Sequence, residues 1–283
     1  MNNDFSTNSL IIDRYQLLSV LGKGAMGITY KALDRQTKQQ VAIKIISLKQ
    51  IEHWQKFESI ETEVQVLQKL RHSNIPLYLD YFTIENDDHD LSFCLVQQLV
   101  IGKPLNVWRQ EQGSVTEKQI KKIIKQFLNI LIYIHGQTPP IIHRDIKPQN
   151  IIIDREERIY LVDFGAVQVS HYNTIAKGNT IVGTYGYMPI EQSFGKVTPA
   201  SDLYSLGATI LYLLTNCSPA KLDNDHLEID VANCLKDTNI SRGFIQWLTK
   251  MLEMDINDRF QNATEALNFL NKIYLININY FFN

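Results

Sequence analysis

At 283 residues the chain is long enough for one large domain or for two lobes with sizeable cores. Hydrophobic residues at 45% and charged residues at 20% are ordinary proportions for a soluble globular protein. A net charge of −2, from 28 Lys and Arg against 30 Asp and Glu, argues against a nucleic-acid protein, whose binding face would push the total basic.

The opening MNNDFSTNSL has no basic start and no long apolar run, so it is not a signal peptide, and residues 1–14 are expected to be a flexible leader. "YQLLSVLGKGAMGITYKAL" predicts a strand, a glycine turn and a second strand, and "QVAIKIIS" a third strand rich in β-branched residues. Residues 52–71 predict a helix, with Phe57, Ile60, Glu63, Leu67 and Leu70 on one face. "FTIEN" and "LSFCLVQQL" predict two more strands before Gly102, Lys103 and Pro104 break the pattern. From there the chain turns helical. Ser114 and Glu117 have capping-box spacing, ahead of an apolar stripe of Ile120, Ile123, Ile124, Phe127, Leu131 and Ile134. The longest apolar stretch, Leu203 to Leu214, is too short to span a bilayer and predicts a buried helix. The last residues, from Ile273, read as a helix end or a docked tail. Cys94, Cys217 and Cys234 are odd in number and lack metal or redox spacing, which fits a reducing cytoplasm better than a disulfide framework.

Polar chemistry is densest in "HRDIKPQN", residues 143–150. The runs Ile151–Ile153 and Ile159–Val162, joined by a charged turn, predict an antiparallel hairpin whose outer ends lie side by side. That hairpin brings Asn150 and Asp163 to one edge, with Asp145 at the same mouth. An amide oxygen beside a carboxylate suits a hard cation such as Mg²⁺, completed by phosphate oxygens. Gly22, Gly24 and Gly27 join two strands, which disfavours a dinucleotide site, and no Walker lysine follows. A turn without side chains lets backbone N–H groups approach phosphates, although a plain glycine-rich hairpin would look the same. Lys44 shares a strand face with Ala42 and could point to solvent. Glu63 sits within an apolar stripe, where a bare carboxylate costs several kcal/mol unless paired, so Glu63 rather than Glu61 is the expected partner of Lys44.

"HRDIKPQN" followed by "DFG" resembles the catalytic-loop and metal-binding motifs of protein kinases, the family whose phosphoryl-transfer parts are a standard template. "GKGAMG", "VAIK", "MPIE", "SDLYSLG" and "DINDRF" resemble the rest of that family's signature, in order, from residue 15 to about 270. "GTYGYMPIEQ" is most similar to eukaryotic-like Ser/Thr kinases of bacteria. The resemblance implies an α+β, two-lobed fold with a small β-rich N-lobe over 15–99, a larger helical C-lobe over 100–275 and a tail at 276–283. It implies transfer of the γ-phosphoryl of ATP to Ser or Thr hydroxyls of protein substrates, with Mg²⁺ as cofactor and Mn²⁺ as a substitute; the cysteine pattern places this in the cytoplasm. It implies Asp145 as base and Lys147 as the lysine that steadies the transferring charge. It further implies Lys44 and Glu63 as the phosphate-holding pair, and Asn150 and Asp163 as metal ligands. His143 then belongs to a hydrophobic spine with Leu67, Tyr78 and Phe164. Adenine would lie against Leu21, Ala42, Ile152 and Val162, with Thr29 reaching the base, Gln97 as gatekeeper, and Gln98 and Leu99 as the hinge. Arg144 would wait for a phosphate, for which Thr180 is the expected acceptor, while Thr184 bonds near Asp145 and Lys147. Asp202 would brace the catalytic loop, and Glu191 and Arg259 would form a structural ion pair. Thr29, Ile190 and Ile256 depart from the family pattern without removing a chemical group. A nucleotide-binding scaffold without turnover would usually have lost a lysine, an aspartate or a metal ligand, and none is lost here. A small-molecule kinase would lack the long segment 163–191.

Overall fold

The computed structural model describes residues 5, 8–24, 27–47, 54–85, 91–169, 183–222 and 229–279, with side chains left out at 54–59, 169 and 274–279. The chain divides into two compact units, 1–101 and 102–283.

The first unit is a curled antiparallel sheet with one helix. Strands β1 (Leu10–Ile11), β2 (Tyr15–Gly24), β3 (Gly27–Asp34) and β4 (Gln40–Ser47) precede helix α1 (Trp54–Lys69), and β5 (Tyr78–Glu85) and β6 (Leu91–Gln98) follow it. The strand order is β1-β2-β3-β4-β6-β5. Residues 8–14, expected to be a loose leader, are tied down instead. Leu10 and Ile11 pair with Gln16 and Tyr15, and the Asn8 N–H donates to the Leu17 carbonyl. The reason is local: Ile11 is buried in the cluster of Tyr15, Leu17, Tyr30 and Ile43, so the segment gains by closing over the sheet. Arg14 fastens that closure. Its guanidinium forks onto Asp34 at 2.8 and 3.1 Å and reaches Asp80 on β5 at 3.1 Å. The Tyr15 hydroxyl donates to Asp80 at 3.1 Å, and its ring stacks on Phe82. The Arg14 guanidinium beside it holds the Asp34 carboxyl well below the ordinary carboxylate range. Helix α1 buries Ile60, Glu63 and Leu67 as its period requires and Leu70 is buried just past its end, while the Phe57 side chain lies outside the described residues.

The second unit is mostly helical. A bridge β7 (Lys103–Pro104) leads into α2 (Leu105–Glu111) and α3 (Glu117–His135), then β8 (Ile141–Ile142) and the hairpin β9 (Ile151–Ile153) and β10 (Ile159–Leu161). The short strand β11 (Gln168–Val169) pairs with β8, and α4 (Ile190–Ser193) follows the segment that begins at Gly183. Helices α5 (Pro199–Thr215), α6 (Val231–Cys234), α7 (Arg242–Leu252) and α8 (Ala263–Asn279) complete it. The α3 cap differs from the expected one: Thr116 and Gln119, not Ser114 and Glu117, form the capping box. Glu117 is engaged elsewhere, since its carboxylate accepts from the Ser241 N–H and hydroxyl at 2.6 and 2.9 Å and pairs with Lys121. The predicted apolar stripe of α3 is wholly buried, and α5 buries Leu203, Leu206, Ile210, Leu211 and Leu213. Among the described residues no helix is long and apolar enough to cross a membrane.

Candidate active site

In the second unit the chain from His143 to Asn150 links β8 to β9, and a network converges on it. Asp145 accepts from three side chains. Thr184 donates its hydroxyl to Asp145 Oδ1 at 2.8 Å, Asn150 Nδ2 donates to Oδ2 at 2.9 Å, and Lys147 Nζ lies 2.8 Å from Oδ2. Lys147 also donates to the Thr184 hydroxyl at 2.8 Å, closing a ring of charge-assisted contacts. The hairpin does what its length dictates: Ile151 pairs with Leu161, and the Val162 N–H donates to the Asn150 carbonyl at 3.0 Å. Asn150 and Asp163 therefore stand at one end of it. The Asn150 amide nitrogen is committed to the Asp145 carboxylate and carbonyl, which leaves its oxygen for a cation. Oxygen from Asn150 plus the Asp163 carboxylate is a donor set that fits Mg²⁺, a hard ion that keeps water and phosphate oxygens for its remaining positions. Among the described residues no cluster of three or more His, Cys, Asp and Glu offers a competing cage.

Beneath the loop lies Asp202, fully buried on α5. It accepts from the His143 N–H at 2.8 Å, the Arg144 N–H at 2.9 Å and His135 Nε2 at 2.9 Å. Burial pushes its carboxyl up, but the His135 contact and the backbone donors outweigh that and hold it below the ordinary range. Because a carboxylate has only acceptors to offer, His135 Nε2 is the donor in this contact. The His143 ring is buried edge-on against Phe164, with centroids 4.8 Å apart. Burial depresses its basicity against the pull of Asp202, Asp145 and Asp163. Arg144 and Asp163 both adopt left-handed backbone angles, φ 69° and 63°, a region that non-glycine residues enter uncommonly. Burial also lowers the Arg144 guanidinium, with Asp202 opposing, and its Nε is buried without a partner among the described residues.

Glu191 on α4 takes a two-pronged contact from Arg259, at 2.7 and 3.1 Å, plus the Ser201 hydroxyl at 2.8 Å. The Arg259 side chain is fully buried and lies over the Tyr204 ring. Thr180 lies outside the described residues.

In the first unit Lys44 Nζ sits 3.2 and 3.1 Å from the two Glu63 oxygens, and Glu63 is 1% exposed while Glu61 faces solvent. Thr29 is opposite Lys44 across β3 and β4, and Ala42 is opposite Gln97 across β4 and β6. Gly22 pairs with Thr29 and Gly24 with Gly27, while Leu21 beside them is half-exposed. Gly27 has a structural duty as well, because a Cβ there would run into the Ile45 carbonyl. The Gln98 N–H donates to the Leu77 carbonyl, so any contact from the Gln98 backbone to a base has to come from its own carbonyl. Leu99 follows the end of β6. Ile152 in the middle of β9 and Val162 just after β10 are both partly exposed.

Two participants were not singled out by the sequence. His135 reaches Asp202 from 67 residues away, and Gln192 Nε2 donates to the Arg144 carbonyl at 2.7 Å from 48 residues away. Ser201 had a signal in retrospect, since it occupies the third position of the α5 capping box begun by Thr198.

Residues 15–270 match the family model described as protein kinase domain. The chain is 35% identical over 280 residues to serine/threonine-protein kinase B of Synechocystis sp., covering 93% of this chain and 47% of that protein. It is 33% identical over 279 residues to serine/threonine-protein kinase F of the same organism, covering 93% and 56%. Over 271 residues it is 32% identical to serine/threonine-protein kinase PknA of Nostoc sp., covering 91% and 47%. The chain thus spans about half the length of the curated relatives it matches.

Proposed function

Because the chain belongs to the protein kinase family, we propose that it moves the γ-phosphoryl group of Mg·ATP to Ser and Thr hydroxyls of proteins, itself included. The observation that carries this reading is the Asp145 cluster. Three donors fix the carboxylate in one orientation, so that an incoming hydroxyl meets a placed proton acceptor. Lys147, 2.8 Å from Asp145, sits where its charge steadies the transferring phosphoryl oxygens. Lys44, held by Glu63, takes the α- and β-phosphates, and the backbone around Gly22, Gly24 and Gly27 closes on them. Leu21, Thr29, Ala42, Ile152 and Val162 contact the adenine, Gln97 limits its depth, and Gln98 and Leu99 offer backbone groups to it. Asn150 and Asp163 would hold Mg²⁺, or Mn²⁺ in its place, whose charge neutralises phosphate oxygens. Glu191, Arg259 and Asp202 keep the supporting framework rigid.

Arg144 carries the regulatory half of the reading. A buried guanidinium whose Nε has no partner among the described residues is matched by a doubly bonding anion, and a phosphate on Thr180 would supply one. We place the reaction in the cytoplasm, in keeping with three cysteines that form no disulfide. The test incubates purified protein with Mg·ATP and maps phosphosites by mass spectrometry, beside Asp145→Asn, Thr180→Ala and Arg144→Ala. Asp145→Asn should bind nucleotide as wild type does and lose about 10²–10⁴-fold in transfer rate. Thr180→Ala and Arg144→Ala should each stay at the low initial rate, without the rise in activity that follows the lag in wild type. Equal incorporation by wild type and Asp145→Asn removes the assignment of the base. Equal lag and activity in Thr180→Ala removes the switch.

A further inference from the structure

The peptide at Arg144 is held at both ends. Its N–H donates to Asp202 Oδ1 at 2.9 Å and its carbonyl accepts from Gln192 Nε2 at 2.7 Å, with φ at the left-handed value of 69° between them. The first anchor comes from the buried core of α5. The second comes from α4, directly after the segment Gly183–Pro189. Gln192 is itself 3% exposed and is wedged from that segment: a Cβ on Gly183 would stand 2.5 Å from Gln192 Nε2 and 2.7 Å from Met188 Sδ. Gly183 has φ +132°, so a larger residue is excluded there by backbone as well as by space. The next residue, Thr184, donates to Asp145 Oδ1 at 2.8 Å. Two successive residues of the catalytic loop are therefore each bonded to the same stretch of chain, Asp145 by its side chain and Arg144 by its main chain.

We infer that Gln192 is a positioning residue that passes the placement of residues 183–189 to the Arg144–Asp145 peptide. With the segment seated, Gly183 and Met188 confine the Gln192 amide, the amide holds the Arg144 carbonyl, and the left-handed turn at Arg144 aims the Asp145 carboxylate. With the segment displaced, the amide loses its wall and the turn has only the Asp202 anchor. The inference rests on Asp145 being the base for phosphoryl transfer.

The test uses the whole chain with Gln192→Met, which keeps length and removes the donor, and Gln192→His, which restores a ring N–H. Gln192→Met should lose about 10- to 100-fold in kcat, the scale of a small misplacement of a reacting group. Its KM for ATP should stay within about twofold, because Gln192 makes none of the contacts assigned to ATP. Gln192→His should recover part of the loss. Amide hydrogen exchange over residues 144–146 should be faster in Gln192→Met and slower again in Gln192→His. Wild-type kcat in Gln192→Met, or unchanged exchange at 144–146, overturns the inference. If wild type transfers no phosphate yet Gln192→Met still loosens these amides, the coupling stands and the assignment of Asp145 as base fails.

Discussion

Asp202→Asn isolates what the buried carboxylate under the catalytic loop does. Oδ2 receives the His143 N–H and His135 Nε2, and Oδ1 receives the Arg144 N–H. Asparagine keeps an oxygen where two donors converge, so its NH₂ turns toward the Arg144 N–H and two donors face each other. Hydrogen bonds to a charged acceptor contribute about 1.5–3 kcal/mol each. One is lost outright and two drop to the neutral range, a gross loss of about 3–6 kcal/mol. Removing a buried charge returns part of this, leaving a net destabilisation of about 2–4 kcal/mol. A domain stable by about 5–15 kcal/mol remains folded at 25 °C after such a loss. Arg144 is the weak point, since its left-handed conformation costs about 1–2 kcal/mol and has lost one of two anchors. Urea titration should show the lower midpoint, and initial rates with Mg·ATP should show kcat down by about 10²-fold, more than the fraction unfolded explains. A variant with a lowered midpoint and wild-type kcat would refute the idea that the Arg144 turn depends on Asp202.

Lys44→Met and Glu63→Gln should each depress activity, and the double change should cost much less than the sum, because the two act as one pair; additive losses in a kinetic cycle would separate them. The Arg14–Asp34 contact makes stability pH-dependent: the folded-state carboxyl is depressed, so its contribution is present above the ordinary carboxylate pKa and is lost as pH falls through the depressed value. The stability gap between wild type and Asp34→Asn should therefore narrow in acid, and a gap independent of pH would remove the linkage. Gln97→Ala should admit bulky N6-substituted ATP analogues that wild type rejects; equal use of them by both proteins would mean that Gln97 does not line the nucleotide site.

What could be read in advance depended on range. The Lys44–Glu63 contact was legible because a carboxylate in an apolar helical stripe announces a need for a partner. The Asn150–Asp163 juxtaposition was legible because a three-residue hairpin leaves its ends nowhere else to go. The α3 cap was misread by two residues, since Ser114–Glu117 and Thr116–Gln119 satisfy the same spacing and only the distant Ser241 decides between them. Leu10–Ile11 is too short to show a strand period, and its pairing follows from Ile11 reaching the core. Gln192 and His135 have no local signature at all, because their partners lie 48 and 67 residues away and a buried amide or imidazole looks like any other until the chain is folded.

The Arg14 fork has a consequence for how the first unit is made. Arg14 meets Asp34 across 20 residues but Asp80 only across 66. On the ribosome, at about 5–20 residues per second, Asp80 emerges roughly 2–9 s after Asp34. During that interval Arg14 has one carboxylate and Tyr15 has neither its hydroxyl acceptor nor the Phe82 ring to lie on. The nascent hairpin of β2 and β3 thus keeps the Tyr15 ring uncovered until β5 arrives with Asp80 and Phe82.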